Sequence, residues 1–162
     1  MSDSSPTSDF DTRAFRDALG TYATGVALIT TQSDRGPVGI MVNSFASVSL
    51  EPPLVLWSID NDSKRKPAFD ANSHSVIHIL SQAQQEACMK FTKDAFDFEG
   101  LPLRESVQGM PVIEDCIAHF ECEHHASHIA GDHTIIVNRV TAVSMGDADP
   151  LVFHKGAFGT LS

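Results

Sequence analysis

The chain has 162 residues, a formal net charge of −10 at pH 7 and a sequence pI near 5.0. Such an acidic chain argues against nucleic-acid binding, because a nucleic-acid partner requires a basic surface that neutralises its phosphates. An apolar fraction of 42% is ordinary for a globular protein, and a chain of 162 residues is most simply one domain with a substantial core.

Membrane, targeting and disulfide signals are all weak. No apolar run approaches the roughly 20 residues that span a bilayer, so no membrane partner is expected. The N-terminus "MSDSSPTSDF" is polar and acidic, unlike a signal peptide. We expect a disordered tail over residues 1–9 and a single domain over residues 10–162. Three cysteines at irregular spacing do not form a disulfide framework, and we expect a cytoplasmic protein.

A helix is the first predicted element. In "DTRAFRDALGTYATG", Asp11 or Thr12 is a suitable N-cap, and Gly20 or Gly25 is a suitable end. Apolar residues recur there at helical spacing, at Phe15, Ala18, Leu19 and Tyr22.

Three β-rich segments follow. They are "VALITTQS", "VGIMVNSFASVSL" and "LVLWSID", separated by a "DRGP" turn and by Glu51-Pro52-Pro53. We interpret them as three consecutive antiparallel strands. A short helix is expected next, with Ser63 as its cap and Pro67 in its first turn.

The second half of the chain adds one more helix and further strands. Ser81 and Gln84 form a capping-box pattern, and Ala83, Ala87 and Phe91 then fall on one helical face. Residues 94–111 are predicted to be a long loop. Short strands with few helices indicate a closed or nearly closed antiparallel barrel.

Histidines and cysteines between residues 116 and 133 invite a zinc interpretation, but their spacing matches no zinc motif, and we expect no metal. If this segment is a strand, its two faces alternate. We expect one face to pack inward and the other to be solvated. The inward set is Cys116, Ala118, Phe120, Cys122 and His124, and the solvated set is His119, Glu121, Glu123 and His125.

Motifs for nucleophilic or Rossmann-type chemistry are absent from the sequence. There is no G-x-S-x-G elbow, Cys88 falls inside a predicted helix, and neither glycine-rich nucleotide-binding motif is present.

Two polar stretches remain open to more than one interpretation. Small polar side chains interrupt the segment from residue 41 to residue 58, which fits either a flat polar ligand or a solvent face; they are Asn43, Ser44, Ser47, Ser49 and Ser58. Three consecutive cations at residues 64–66, next to Ser63, fit either a phosphate site or a solvated basic turn. Gly131-Asp132-His133 is either a turn that begins a strand or a catalytic or metal-binding corner.

Taken in order, six stretches resemble the flavin reductase-like family with the FMN-binding split-barrel fold. They extend from Phe15 to about Gly159: "FRDALGTYATGVALITT", "VNSFASVSLEPPLVLWSI", "SKRKPAF", "GMPVIEDCIAHFECE", "GDHTIIVNRV" and "PLVFHKGAFG". The resemblance implies a mainly β fold, a six-stranded antiparallel Greek-key split barrel with a few short helices. It also implies a homodimer with the flavin at or near the subunit interface.

The resemblance further implies roles for particular residues. His133 is expected beside the nicotinamide, and His154 and Phe158 are expected to close over the same region. Phe91 is expected to border the flavin, and Ser63, Lys64 and Lys66 to hold its phosphate. The isoalloxazine ring and ribityl chain are expected to contact Met41, Val42, Asn43, Ser44, Ala46, Ser47 and Ser58.

The activity implied is reduction of FMN or FAD by NADH or NADPH, which supplies reduced flavin to a partner monooxygenase. Hydride transfer is carried out by the cofactors while the protein binds and orients them, so the missing nucleophile is consistent with this activity. The alternatives are a tight FMN-binding electron-transfer protein and a non-catalytic flavin-binding module. The sequence does not distinguish FMN from FAD or NADH from NADPH.

Overall fold

The computed structural model describes residues 10–161, so the tail predicted over residues 1–9 lies outside the described residues. The first element is helix α1 (Thr12–Gly20), and the side chain of Asp11 accepts a hydrogen bond from the backbone N–H of Arg13 at 2.6 Å. Asp11 is therefore the cap. No residue of α1 is buried, and its predicted apolar face is exposed at Phe15, Leu19 and Tyr22.

Twelve strands follow within the described residues, and most of them belong to one antiparallel sheet. In chain order they are β1 (Thr24–Gly25), β2 (Ala27–Ser33), β3 (Gly36–Val42), β4 (Ala46–Ser49), β5 (Leu54–Asp60), β6 (His74–Ile79), β7 (Leu103–Glu105), β8 (Pro111–Ile113), β9 (Ala118–Ala130), β10 (His133–Met145), β11 (Val152–His154) and β12 (Ala157–Gly159). The main sheet has the order β3-β2-β6-β9-β10-β5-β4, and smaller sheets have the orders β1-β11-β12 and β7-β8.

The mainly β, antiparallel architecture is confirmed, with seven strands in the main sheet where the resemblance implied six. The segment "VGIMVNSFASVSL", predicted as one strand, forms two, because residues 43–45 leave the ladder between β3 and β4. These two strands are the opposite edges of the main sheet, yet only residues 43–45 separate them in the chain. The sheet must therefore curl until its edges approach each other.

The curled sheet encloses one main core, to which six of its strands contribute. Helix α2 (Lys66–Ala71) closes one end, where Phe69 packs edge-on against Trp57 with ring centroids 5.1 Å apart. The indole N–H of Trp57 donates to the side-chain oxygen of Asn138 at 2.9 Å, so this buried polar pair is satisfied. The buried residues of the main core are Ala27, Ile29, Val38, Val55, Trp57, Ile59, Phe69, Ile77, Cys122 and Ile136.

The outer face of the main sheet is covered over one half and more open over the other. The β7–β8 hairpin packs on β6, where Val76 contacts Met110 and Val112. The β1-β11-β12 sheet and helix α3 (Gln85–Met89) pack on β2 through a second cluster; its buried members are Val26, Leu28, Leu80, Cys88, Phe91, Ile113 and Leu151. By contrast, the outward side chains of β5 and β10 are only partly buried: Leu56, Ser58, Ile135 and Val137.

The β7–β8 hairpin also covers part of β9, which affects the prediction of an inward and a solvated face for that strand. Phe120 and Cys122 pack into the main core, as predicted for the inward face. His124 was predicted on that face too, but it is exposed where a β-bulge interrupts the β9–β10 ladder beside it. His119 was predicted on a solvated face, but it is buried, and its Nε2 lies 3.2 Å from the guanidinium of Arg104 on β7. The expectation of a solvated face is wrong at His119 because β7 covers that part of the strand.

The segment after β6 is helical, as predicted, but it is not one continuous α-helix. The capping box forms, with the backbone N–H of Ser81 donating to the side-chain oxygen of Gln84 at 2.9 Å. A 3₁₀ turn (Gln82–Gln84) precedes α3 and another (Lys90–Thr92) follows it. The tighter winding rotates the buried face, so it consists of Gln84, Cys88 and Phe91, whereas Ala83 is exposed.

The predicted loop of residues 94–111 is packed against the body of the protein and contains β7. Phe96 packs against the main core, and the ring of Phe98 lies 4.8 Å from that of Phe91. Among residues 10–161, no helix combines the length and apolar character that crossing a membrane requires.

Candidate active site

The break between β3 and β4 exposes a short stretch of polar backbone. The hydroxyl of Ser44 accepts a hydrogen bond from the backbone N–H of Ser58 at 3.0 Å and lies 3.4 Å from the carbonyl oxygen of Ser58. It replaces the strand pairing that is missing there. None of the loop hydrogen bonds within residues 10–161 uses a backbone N–H of residues 43–45, so these donors are available to a ligand.

The residues around this break differ in what they present to solvent. Asn43, Ala46 and Ser47 are exposed. The side chain of Val42 packs against the main core and that of Met41 against the second cluster. Val42 can therefore offer a ligand only its backbone groups. Ser44, whose hydroxyl is already bonded to Ser58, can offer its backbone N–H.

The Gly131-Asp132-His133 corner forms the turn between β9 and β10. Gly131 has a φ of +64°, a left-handed conformation that glycine adopts without strain. The ring Nδ1 of His133 donates to Asp132 Oδ1 at 2.8 Å, and this hydrogen bond holds the pKa of Asp132 below its ordinary value. With Nδ1 engaged, the Nε2 of a neutral His133 ring is left as an acceptor.

Asn61 fixes this corner to the end of β5. Its backbone N–H donates to the carbonyl of Asp132 at 2.9 Å, and its side-chain amide donates to the carbonyl of Gly131 at 3.2 Å. Its side-chain oxygen accepts from the hydroxyl of Thr134 at 2.5 Å. Three contacts from one residue thus determine where the corner lies relative to the strand.

The strand register brings several predicted residues to one surface. His133 is opposite Asp60 and Ile135 is opposite Ser58 in the β10–β5 ladder. Side chains two residues apart share a face of a strand, so His133 and Ser58 both lie on the outer face, with Ser44 bonded to the edge of the same strand. We call this the β5–β10 face.

Beyond Asp60 the chain enters the cationic loop, residues 63–66. Ser63 does not cap α2; its hydroxyl accepts from the backbone N–H of Arg65 at 3.2 Å, and Arg65 is the capping residue. Lys66 forms an ion pair with Asp70 at 2.8 Å, whereas Lys64 has no ion pair within residues 10–161. Helix α2 has only six residues, so its N-terminus adds little positive charge. The positive charge of the cationic loop comes from its side chains.

The remaining predicted residues lie on another part of the molecule. Phe91 is fully buried in the second cluster, where an added Cβ on Gly39 would lie 2.8 Å from its ring. It presents no surface to a ligand in this arrangement. Phe158 packs at the rim of the same cluster, as Met41 does, while His154 is exposed on the β11–β12 hairpin. The structure does not bring His154 and Phe158 to the β5–β10 face.

The cysteines do not provide a nucleophile. Burial raises the pKa of Cys88 to about 11, of Cys116 to about 11 and of Cys122 to about 12, so all three are thiols at neutral pH. Within residues 10–161, no three His, Cys, Asp or Glu side chains are arranged to hold a metal ion.

Sequence reasoning missed two features of the structure, one at the cationic loop and one on β1. Arg65, rather than Lys66, lines a cleft together with Lys64. Thr24 on β1 carries the single buried side-chain polar atom without a hydrogen-bond partner in the described part of the chain, and it is paired with Phe153, whose ring lies 5.3 Å from that of Phe158. Its position before "GVALITT" gave no signal, because an unpaired hydroxyl is a property of the packed structure.

Known proteins resemble the chain over most of its length. It is 48% identical to the FMN reductase (NADH) SmoA of Agrobacterium fabrum, over 94% of this chain and 87% of that protein. It is 37% identical to HsaB of Rhodococcus jostii, the reductase subunit of a flavin-dependent monooxygenase, over 91% of this chain and 77% of HsaB.

A solved structure gives the same result. The Streptomyces globisporus C-1027 NADH:FAD oxidoreductase SgcE6, in complex with NAD and FAD fragments, matches with a TM-score of 0.88 at 30% identity. The match covers 94% of this chain and 93% of that one. The family model described as a flavin reductase like domain matches residues 19–162. The chain therefore belongs to the flavin reductase-like domain family.

Proposed function

We propose that this chain is an NAD(P)H:flavin oxidoreductase that reduces FMN or FAD and supplies the reduced flavin to a partner monooxygenase. The observation that carries the proposal is the β5–β10 face. Three features surround strand β5 there: an oriented histidine opposite its last residue, a stretch of free backbone amides beside Ser58, and the loop with an unpaired lysine that follows the strand. The relatives named FMN reductase and monooxygenase reductase subunit support the same activity.

The groups present fit a flavin. An isoalloxazine ring requires several hydrogen-bonding groups along its edge, and the backbone of residues 43–45 with exposed Asn43 and Ser47 offers them. Lys64 forms no ion pair within residues 10–161 and is free to bind a phosphate. We therefore retain residues 41–47, Ser58, Ser63 and Lys64 as flavin-binding candidates.

The protein's part in the reaction is to bind and orient. When bound, the flavin and the nicotinamide supply the redox chemistry between them. Asp132 holds the ring of His133 through Nδ1, so Nε2 can accept a hydrogen bond from a nicotinamide carboxamide. Because Asn61 fixes the corner, this acceptor is preorganised, which is how an orienting residue contributes to rate. His154 and Phe158 remain a prediction of the family resemblance, because within one subunit they lie away from the β5–β10 face.

The test is an assay of the purified protein with NADH or NADPH and with added FMN or FAD. We expect oxidation of the pyridine nucleotide that saturates with free flavin. A yellow protein that is reduced by nucleotide without turning over free flavin would identify the electron-transfer alternative. A yellow protein that neither nucleotide reduces would identify the non-catalytic module. Absence of flavin binding at micromolar concentration would overturn the proposal.

We further propose that the protein is a homodimer. Helix α1 leaves large apolar side chains in water: Phe15 is 50% exposed and Leu19 is 58% exposed. A second copy would bury this face. Leu19→Glu is expected to shift sedimentation toward the monomer, while Arg13→Glu, on the opposite side of the same helix, leaves it unchanged. Equal sedimentation of both variants and wild type would place the dimer contact elsewhere or exclude a dimer.

We also propose a cytoplasmic location and one domain over residues 10–162. Three free cysteines, two of them buried, suit a reducing compartment. Fractionation of the native host, with the protein followed by antibody, tests the location. Limited proteolysis tests the domain, because a single unit is expected to resist cleavage throughout residues 10–161.

A further inference from the structure

The β5–β10 face continues onto a third strand, β9. In the β9–β10 ladder Ala130 is opposite His133 and His128 is opposite Ile135. Ile135 is in turn opposite Ser58 on β5. Side chains directly opposite each other share one face of an antiparallel sheet, so Ser58, Ile135 and His128 form one row across the outer face. His128 therefore extends the surface that carries His133.

The positions of the two histidines leave a space between them. Ala130, directly opposite His133, has a methyl side chain that offers no hydrogen bond. His128 is diagonal to His133 across the two strands. Diagonal neighbours are roughly 7–8 Å apart, which long and aromatic side chains can bridge. A small polar group held beside His133, over Ala130, is therefore within reach of both imidazole rings.

The ring of His128 is free to bind such a group. Its side chain is exposed. Within residues 10–161, the histidine rings that form hydrogen bonds are those of His74, His78, His119, His124 and His133. A neutral imidazole has one N–H donor and one acceptor. His133 already donates through Nδ1 to Asp132 and presents an acceptor, whereas His128 can present a donor.

We propose that His128 is a second residue that binds the nicotinamide carboxamide, donating a hydrogen bond to its carbonyl oxygen while His133 accepts one from its N–H. The proposal rests on the proposed function, because it requires a nicotinamide beside His133. A carboxamide carries a donor and an acceptor on adjacent atoms, and the two rings offer the complementary pair. Together they fix which way the carboxamide faces, and so the orientation of the ring that transfers the hydride.

The first test is steady-state kinetics with saturating flavin. His128→Ala removes the donor and is expected to raise the KM for NADH about five-fold. His124→Ala is the matched control, because it removes another exposed histidine of β9. His124 is opposite Asn138, whose side chain bonds Trp57 in the core, so it lies on the other face of the sheet. The control is expected to leave the KM within about two-fold.

Two analogues of NADH assign each histidine to one atom of the carboxamide. The reduced thionicotinamide analogue keeps the amide N–H but replaces the oxygen with sulfur, a weak acceptor. The reduced acetylpyridine analogue keeps the oxygen but has a methyl group in place of the amide nitrogen. We expect His128→Ala to lose about five-fold with the acetylpyridine analogue and less than two-fold with the thionicotinamide analogue.

His133→Ala is expected to show the reverse pattern. It should lose about ten-fold with the thionicotinamide analogue and less than two-fold with the acetylpyridine analogue, because the second lacks the atom that His133 binds. A variant that only disturbed the fold would affect both analogues alike. The crossed pattern therefore separates a contact with the nicotinamide from a structural role.

A binding measurement without turnover completes the test. In NMR spectra of the protein, millimolar NAD⁺ is expected to shift the ring signals of His128 and to leave those of His124 in place. The proposal would be overturned by an unchanged KM for NADH in His128→Ala, by equal losses with the two analogues, or by His128 signals that NAD⁺ does not move. A protein that showed the NAD⁺ shift without reducing flavin would disprove the proposed function alone. An active reductase whose His128 signals stayed in place would disprove this proposal alone.

Discussion

Two histidines on the outer face of the same sheet illustrate the difference between its covered and open halves. His78 on β6 is fully buried; its Nδ1 bonds the carbonyl of Leu28 at 2.9 Å and its Nε2 accepts from the backbone N–H of Ile113 at 2.9 Å. His133 on β10 has one ring nitrogen bonded to Asp132 and a side chain that is 45% exposed. Where the face is covered, hydrogen-bonding capacity is used within the fold; where it is open, it remains for a ligand.

The largest effect is expected at His78, on the covered half of the outer face. Burial lowers the pKa of His78 to about 3 from 6.5, so the unfolded state binds this proton more readily than the folded state. The contribution of neutral His78 to the free energy of unfolding is therefore fully present above pH 6.5. It is lost as the pH falls toward 3, at about 1.4 kcal/mol per pH unit.

NMR titration and urea unfolding check this prediction. The His78 ring of the folded protein is expected not to titrate above pH 4. His78→Gln is expected to reduce the acid slope of the unfolding free energy. A His78 ring that titrates near 6.5 would remove the contrast between the two halves.

The next effect concerns the cationic loop. Lys64→Ala is expected to weaken FMN by about 1–3 kcal/mol, because it removes an unpaired ammonium from the phosphate site. Fluorescence titration with FMN and with riboflavin measures it, and riboflavin affinity should not change. If wild-type protein bound FMN and riboflavin equally, the loop would not be a phosphate site.

A smaller effect is expected at the open histidine. His133→Ala removes one hydrogen bond to the nicotinamide, so the KM for NADH should rise about ten-fold, with flavin affinity within two-fold. Steady-state kinetics with saturating flavin provide the measurement. Unchanged nicotinamide kinetics would show that the free nitrogen of His133 has no ligand.

The smallest effect is expected at Lys66. Its ammonium is already paired with Asp70 at 2.8 Å, so Lys66→Ala should weaken FMN less than about two-fold. The comparison with Lys64→Ala in the same titration separates free from paired charge. A loss as large as that of Lys64→Ala would mean that the Asp70 pair breaks when flavin binds.

Local patterns were predicted well from the sequence. The Asp11 cap and the Ser81–Gln84 capping box depend on residues within three positions of each other, and both form. The predicted turn at Gly131 also forms, because one glycine determines its backbone. Such features need no knowledge of the rest of the chain.

Features that depend on distant packing were predicted poorly. The sequence did not indicate that β7 would cover His119, or that the 3₁₀ turn would move the buried face from Ala83 to Gln84. Nor did it indicate that Arg35 and Lys93 would meet Lys64 around one cleft, since the curl of the sheet brings these three segments together. The family resemblance indicated the flavin-binding residues, whereas the grouping of Arg35, Lys64 and Lys93 around one cleft is visible only in the folded structure.

The three contacts of Asn61 have a mechanical consequence. Only Asp62 and Ser63 separate Asn61, which holds the β9–β10 turn, from Lys64, so the two are at most about 11 Å apart along the backbone. If a bound phosphate displaced Lys64, only these two intervening residues could absorb the shift before it reached the histidine corner. Binding at either site would then change the affinity of the other by the same factor, whichever ligand binds first.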